Sequence, residues 1–231
     1  MTCKSAIFAK YSFLKRSIKM YLNMKMTKII MAALLSTCAA TVEICAQIPV
    51  KQMVTVAESQ QTLASAKHLE IESQFCRVTF VEAEGDAVSF VGKLEAMEES
   101  DAYKVNVVEN GDVVKVSIEV PSDAKSSYAG EMTIGLKNGV DVKLVSTSGN
   151  VYVDGVSTSN ININTTKGKV NVKNSGGKIV AETKNGDITV SKYEGEISLL
   201  TATGKVSIEN SKGTLAAETS DGDLSMNACE G

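Results

Sequence analysis

From Gly168 onward the chain repeats one unit: glycine, any residue, apolar, any residue, apolar. The cells read Gly168-Lys-Val-Asn-Val172, Gly177-Lys-Ile-Val-Ala181, Gly186-Asp-Ile-Thr-Val190, Gly195-Glu-Ile-Ser-Leu199, Gly204-Lys-Val-Ser-Ile208, Gly213-Thr-Leu-Ala-Ala217 and Gly222-Asp-Leu-Ser-Met226, and the lattice reaches Gly231. Self-similarity at a fixed short period marks a repeat architecture, in which one unit cannot bury its apolar face alone and neighbours must stack on it. The pattern predicts an all-β fold, a right-handed parallel β-solenoid, since crossovers between parallel strands take that hand. Positions +2 and +4 from each glycine, from Val170 and Val172 to Leu224 and Met226, are the expected core columns. Position +3 (Asn171, Thr189, Ser207, Ser225) is expected to face solvent.

The full period is eighteen residues. Thr165, Thr183, Thr201 and Thr219 stand three before alternate glycines, and Asn174, Lys192, Asn210 and Ala228 take that place in the cells between. Each coil is therefore two strands and two different corners. Upstream the lattice continues with small slips through Gly130-Glu-Met-Thr-Ile134, Gly139-Val-Asp-Val142, Gly149-Asn-Val-Tyr-Val153 and Ser159-Asn-Ile-Asn-Ile163. The last coil is expected to be open at Gly231 and available for self-association through its unpaired strands.

Between residues 50 and 125 the alternation has period two without the glycine lattice: Leu69-Glu-Ile-Glu72, Val78-Thr-Phe-Val81, Ala87-Val-Ser-Phe-Val91, Tyr103-Lys-Val-Asn-Val-Val108 and Val113-Val-Lys-Val-Ser-Ile-Glu-Val120. These read as half-buried strands, with a hairpin turn at Asn110-Gly111-Asp112. Pro121 to Ala129 is polar and reads as a loop. The chain thus divides into a leader and signal peptide (1–47), a strand-rich N-terminal region (48–125) that precedes the repeats, and the β-solenoid repeats (126–231).

The leader has the basic, apolar, small order of a secretory signal: Lys25 and Lys28, then Ile29 to Leu35, then Cys45-Ala-Gln47. Its apolar run is too short to span a bilayer, which takes roughly 20 residues, and cleavage is expected to leave a chain beginning near Ile48 with no transmembrane span. Leu34-Leu-Ser-Thr-Cys38 has the outline of a lipoprotein acylation site, with Thr37 where such sites take Gly, Ala or Ser. After the leader, 17 basic and 26 acidic residues remain, and Arg77 is the only arginine. So acidic a surface repels phosphate backbones and argues against nucleic-acid binding. Of five cysteines only Cys76 and Cys229 follow the leader, so packing rather than a disulfide framework holds the fold.

Candidate chemistry is sparse. Lys169, Asp187, Lys205 and Asp223 each follow an alternate lattice glycine and should stack as a ladder of alternating charge. Asp187 and Asp223 as paired carboxylates would stand about 9.6 Å apart, at the wide edge of the roughly 6.5–9.5 Å that inverting glycosidases use. Lys205 between them would keep both ionised. A calcium reading of Asn185-Gly-Asp187 and Asp221-Gly-Asp223 meets too few converging carboxylates. The threonine column reads as a hydrogen-bond ladder in the corner or as a flat hydroxyl surface. His68 stands apart from any cysteine or second histidine, and no nucleophile motif is present. No catalytic, cofactor or metal residues are assigned.

The stretch Val142-Lys-Leu-Val-Ser-Thr-Ser-Gly-Asn-Val-Tyr-Val-Asp-Gly155 and the Thr-x-x-Gly cells after it resemble the bacterial putative-adhesin domain family, exported proteins of unknown function. The likeness extends over most of residues 69–231 and implies a β-solenoid and export. The leader's Ala-Gln end resembles those of envelope proteins in the Bacteroides group. The expected function is an exported, non-catalytic module of adhesin-like binding or scaffolding at the periplasm, outer-membrane surface or exterior. Its expected partner is a glycan or protein at the cell surface. The alternatives are a carbohydrate-active enzyme on a β-helix and a purely structural envelope protein.

Overall fold

The computed structural model describes residues 53–121 and 127–231. The leader, the acylation outline at Cys38 and residues 122–126 of the expected loop lie outside the described residues. In chain order the strands are β1 (Val54–Leu63), β2 (His68–Ser73), β3 (Arg77–Glu82), β4 (Val88–Ala96) and β5 (Lys104–Asn110). There follow β6 (Val113–Glu119), β7 (Tyr128–Leu136), β8 (Asp141–Ser148), β9 (Val151–Asp154) and β10 (Ser157–Lys167). The last are β11 (Val170–Asn185), β12 (Ile188–Thr203), β13 (Val206–Glu209), β14 (Lys212–Asp221) and β15 (Leu224–Asn227).

They form two facing ladders joined through corners. One ladder runs β5, β6, β2, β8, β10, then the second halves of β11 and β12, then β14. The other runs β1, β4, β7, β3, β9, then the first halves of β11 and β12, then β13 and β15. The strands of the coils pair in parallel, and in the repeats the register advances eighteen residues per coil, as Val170 to Ile188 and Ile188 to Val206. This is the β-solenoid that the lattice predicts, with two strands per coil.

The strand-rich region does not simply precede the repeats. β2 and β3 make a coil that slots between the β6–β7 coil and the β8–β9 coil, so the stacking order departs from the chain order. Electrostatics favours this arrangement. Glu70 on β2 pairs with both Lys115 of β6 and Lys143 of β8, and its carboxylate lies 3.0 Å from the Lys115 ammonium. Without β2 between them the two lysines would face each other, and like charges directly opposite destabilise a sheet. Beyond this coil the pairing turns antiparallel and closes the stack: β4 runs against β7 and β1 against β4, while β5 and β6 form the expected hairpin at Gly111.

The need for glycine is one of space. A Cβ built on Gly186 would collide with the carbonyl oxygen of Gly168, one on Gly168 with that of Gly149, and one on Gly204 with that of Gly186. Gly195 and Gly213 repeat the relation with Gly177 and Gly195 in the second column. Gly186 lies outside the left-handed region, so at that position crowding alone excludes a side chain. The other corner does use left-handed backbone, at Asn174, Lys192, Asn210 and Ala228, with φ of 50°, 51°, 49° and 50°. Asparagine suits that region; lysine and alanine are strained there.

Inside, Val170, Val172, Ile179, Ala181, Ile188, Val190, Ile197, Leu199, Val206 and Ile208 are all buried. Each of the Val, Ile and Leu side chains among them contributes roughly 1.5–3 kcal/mol on leaving water. The columns stop short of the expected end: Leu224 and Met226 are 48% and 46% exposed, because among the described residues no coil lies over them. At position +3, Ser207 is buried and Asn171, Thr189 and Ser225 are half-buried rather than open. An outward side chain in an in-register stack is flanked by its equivalents only about 4.8 Å away on either side.

Two predictions follow from the packing. Gly186→Ala should cost roughly 3 kcal/mol in urea unfolding followed by circular dichroism, and Gly85→Ala, with nothing within 4 Å of its new Cβ, under about 0.5 kcal/mol; equal costs would dismiss the crowding account. Glu70→Lys should lower the melting temperature, and more so in dilute buffer than at about 1 M salt. A salt-independent change would show that charge does not favour the insertion of β2.

Candidate functional site

The predicted charge ladder is part of a longer row. Lys169, Asp187, Lys205 and Asp223 do occupy equivalent positions in successive coils, one residue before Val170, Ile188, Val206 and Leu224. Lys169 forms an ion pair with Asp187 at 2.8 Å, and the backbone N–H of Lys205 donates to the Asp187 carboxylate at 3.0 Å. These two donors, Lys169 first, hold the Asp187 carboxyl below its usual range. The row continues the other way through Asn150, whose side-chain oxygen accepts from the Lys169 N–H, to Arg77, Glu131, Lys93 and Glu58. Charge therefore alternates from Glu58 to Arg77 and again from Lys169 to Asp223, with the neutral Asn150 between the two runs.

At the Arg77 end the row borders a cleft of about 400 Å³. It is lined by Phe75, Arg77, Lys93, Glu95, Tyr128 and Glu131, with Asn150 at its side. Arg77 donates to Glu131 at 3.0 Å and Lys93 to Glu95 at 2.6 Å. Glu95 is the first cause of the rise in the Lys93 pKa. The Phe75 and Tyr128 rings meet edge to face at 4.6 Å, and Tyr103 lies 6.3 Å from Tyr128 on another side. Sequence reasoning singled out Arg77 as a lone arginine and missed the rest. Arg77 and Glu131 are 54 residues apart, and their meeting depends on the out-of-order coil.

The threonine column lies inside, so it is no ligand surface. Thr165, Thr183 and Thr201 are buried. Thr201 donates to the Gly186 carbonyl at 3.2 Å and Thr219 to the Gly204 carbonyl at 3.1 Å, whereas the Thr165 and Thr183 hydroxyls have no partner among the described residues. The expected ladder is thus made at two rungs and unmade at two. A second corner column, Ser175, Tyr193, Ser211 and Cys229, was not expected. Ser175 Oγ accepts from the Val156 N–H, and Ser211 Oγ accepts from the Tyr193 N–H and donates to the Glu209 carbonyl. Burial there pushes the Tyr193 hydroxyl up to about 12.

Other candidates remain apart. His68 is exposed, its Nδ1 3.6 Å from an Asp141 carboxylate oxygen. Cys76 and Cys229 are both free thiols. Among the described residues no three His, Cys, Asp or Glu side chains gather where they could hold a metal ion, and no helix is long and apolar enough to cross a membrane.

Stacked coils with glycine corners over residues 66–230 match the Toastrack DUF4097 family. The chain belongs to that family. Among solved structures it is similar to a putative cell adhesion protein from Clostridium sporogenes, 12% identical with a TM-score of 0.51, over 78% of this chain and 100% of that one. It is also similar to a putative adhesin from Bacteroides fragilis, 11% identical with a TM-score of 0.36, over 79% of this chain and 98% of that one. A putative lipid binding protein from Parabacteroides distasonis is 8% identical with a TM-score of 0.26, over 75% of this chain and 95% of that one. Among curated proteins none matches. At 12% identity the likeness to the Clostridium sporogenes protein shows the fold alone.

The split threonine column can be tested directly. Thr201→Val should cost about 1 kcal/mol, while Thr183→Val, which removes a buried unpaired hydroxyl, should leave stability unchanged or raise it by up to about 1 kcal/mol. Chemical denaturation of both variants decides the matter, and an equal loss in the two would refute the assignment.

Proposed function

We propose that this protein is an exported, non-catalytic β-solenoid that serves as an adhesin-like binding or scaffolding module of the cell envelope. The observation that carries the reading is the charged row bordering an aromatic-lined cleft on the outside of a stack with an aliphatic core. Such a surface presents fixed side chains for recognition, and its partner is a glycan or a protein at the cell surface. Membership of the Toastrack family and the likeness to a putative cell adhesion protein support it. So does the sequence of the leader, with its basic, apolar, small order.

Two features speak against the rival reading as a carbohydrate-active enzyme. Asp187 is held ionised by Lys169 and by the Lys205 N–H, the wrong direction for a general acid. The carboxylates of the cleft are each engaged by a cation.

Cell fractionation of the full chain, with binding to arrayed glycans and matrix proteins and reducing-sugar release measured alongside, tests the proposal. The chain is expected in the envelope or medium, bound to an arrayed partner and releasing no sugar. Sugar release that Asp187→Ala abolishes would establish the enzyme instead, and failure to bind any arrayed partner would favour a purely structural role.

A further inference from the structure

We infer that the cleft between Phe75 and Tyr128 is a binding site for a neutral pyranose sugar. The inference rests on the reading of the protein as a binding module and gives that module a ligand class and a place.

Shape comes first. At about 400 Å³ the cleft falls within the roughly 300–1,000 Å³ of small-molecule sites. It opens to solvent beside the one aromatic ring that is exposed among the described residues, Tyr128, at 38%. The edge of Phe75 and the nearby Tyr103 ring fix the orientation of that ring. A platform held in this way loses little freedom when a ligand settles on it, and a pyranose has an apolar C–H face that fits such a ring.

Charge then selects the ligand. Arg77, Glu131 and Lys93 are direct partners across β3, β7 and β4, in the order plus, minus, plus. Each cation is paired with a carboxylate, Arg77 with Glu131 and Lys93 with Glu95. An anion arriving there would meet a carboxylate beside each cation, and that like charge repels it. A sugar hydroxyl differs, because it donates and accepts at once. Adjacent hydroxyls can donate to Glu131 or Glu95 while accepting from guanidinium N–H groups of Arg77 beyond the one given to Glu131, or from the Lys93 ammonium. The Asn150 amide adds further donors, since only its oxygen is engaged by Lys169.

The chain has six tyrosines and no tryptophan, so the part of the tyrosine emission change that is lost in Tyr128→Ala reports on the site. The full chain is titrated with methyl β-D-glucopyranoside, methyl β-D-galactopyranoside, methyl α-D-mannopyranoside and methyl N-acetyl-β-D-glucosaminide, with saturation-transfer NMR alongside, and with D-galacturonate as the anionic comparator. At least one neutral glycoside should bind saturably and more tightly than galacturonate. Tyr128→Ala and Arg77→Met should each weaken it about ten-fold, with melting temperatures unchanged, while Lys178→Met on the other ladder should leave it unaltered. No saturable binding, tighter binding of galacturonate, or binding indifferent to both cleft substitutions would overturn the inference. Adhesion of the full chain to cells or matrix proteins that survives Tyr128→Ala would overturn the cleft while leaving the binding-module reading standing. Sugar binding at Tyr128 without any adhesion would support the cleft and overturn adhesion.

Discussion

Gly168, Gly186, Gly195, Gly204, Gly213 and Gly222 each leave room for the carbonyl oxygen of the glycine one coil away, as Gly186 does for Gly168 and Gly204 for Gly186. With no Cβ between them the corners stack directly, and the coils are held in register with no slip from Val170 to Leu224. Register is what turns sequence period into columns. Once it is set, every eighteenth residue meets its equivalent, and the aliphatic core, the left-handed corner and the charge row are all consequences of that contact. A stack of this kind gains from neighbours rather than from any single unit, and among the described residues Leu224 and Met226 are the column positions left most open to water.

The repeating part was legible because its information is local. A glycine followed by alternating apolar residues specifies both a corner and a strand, and two kinds of corner were visible in the alternation of Thr183 and Thr201 with Asn174 and Lys192. The left-handed backbone at the second corner was not read, because Lys192 and Ala228 are not residues that signal it. The interleaved coil was illegible for another reason. A strand such as Leu69 to Glu72 alternates in the same way whether it joins a separate sheet or a solenoid, and its partners Val114 and Val142 lie far along the chain. Only the complementarity of Glu70 with Lys115 and Lys143 marks its place, and that is apparent only once the pairing is known. β1 escaped notice because Glu58 to Gln61 carries polar residues on both faces, as a half-solvated edge strand permits.

Lys169, Asp187, Lys205 and Asp223 lie in one row that extends through Asn150 to Arg77, Glu131, Lys93 and Glu58. Exposed ion pairs such as Lys169–Asp187 add little to stability. What the row does is order side chains along one line of the surface, so that donors and acceptors alternate at the spacing of the coils. The same rule that pairs Lys169 with Asp187 pairs Arg77 with Glu131, although the second pair belongs to a part of the chain without the lattice.

The cleft lies where the repeat is broken. Cys76 occupies the place in the corner column that glycine holds in neighbouring coils, between Gly130 and Gly149. A Cβ on Gly130 would strike the Cys76 sulfur, and one on Gly149 the Cys76 carbonyl oxygen. The buried thiol, pushed up to about 11 by desolvation, is inert, and its role is to fill the corner from within. Phe75, just before it, is left half-buried against Tyr128 rather than lost in a uniform column. Phe75, Gly130 and Gly149 at this corner all line the cleft. In a solenoid of this construction, the coil that departs from the lattice is therefore the place to look for recognition.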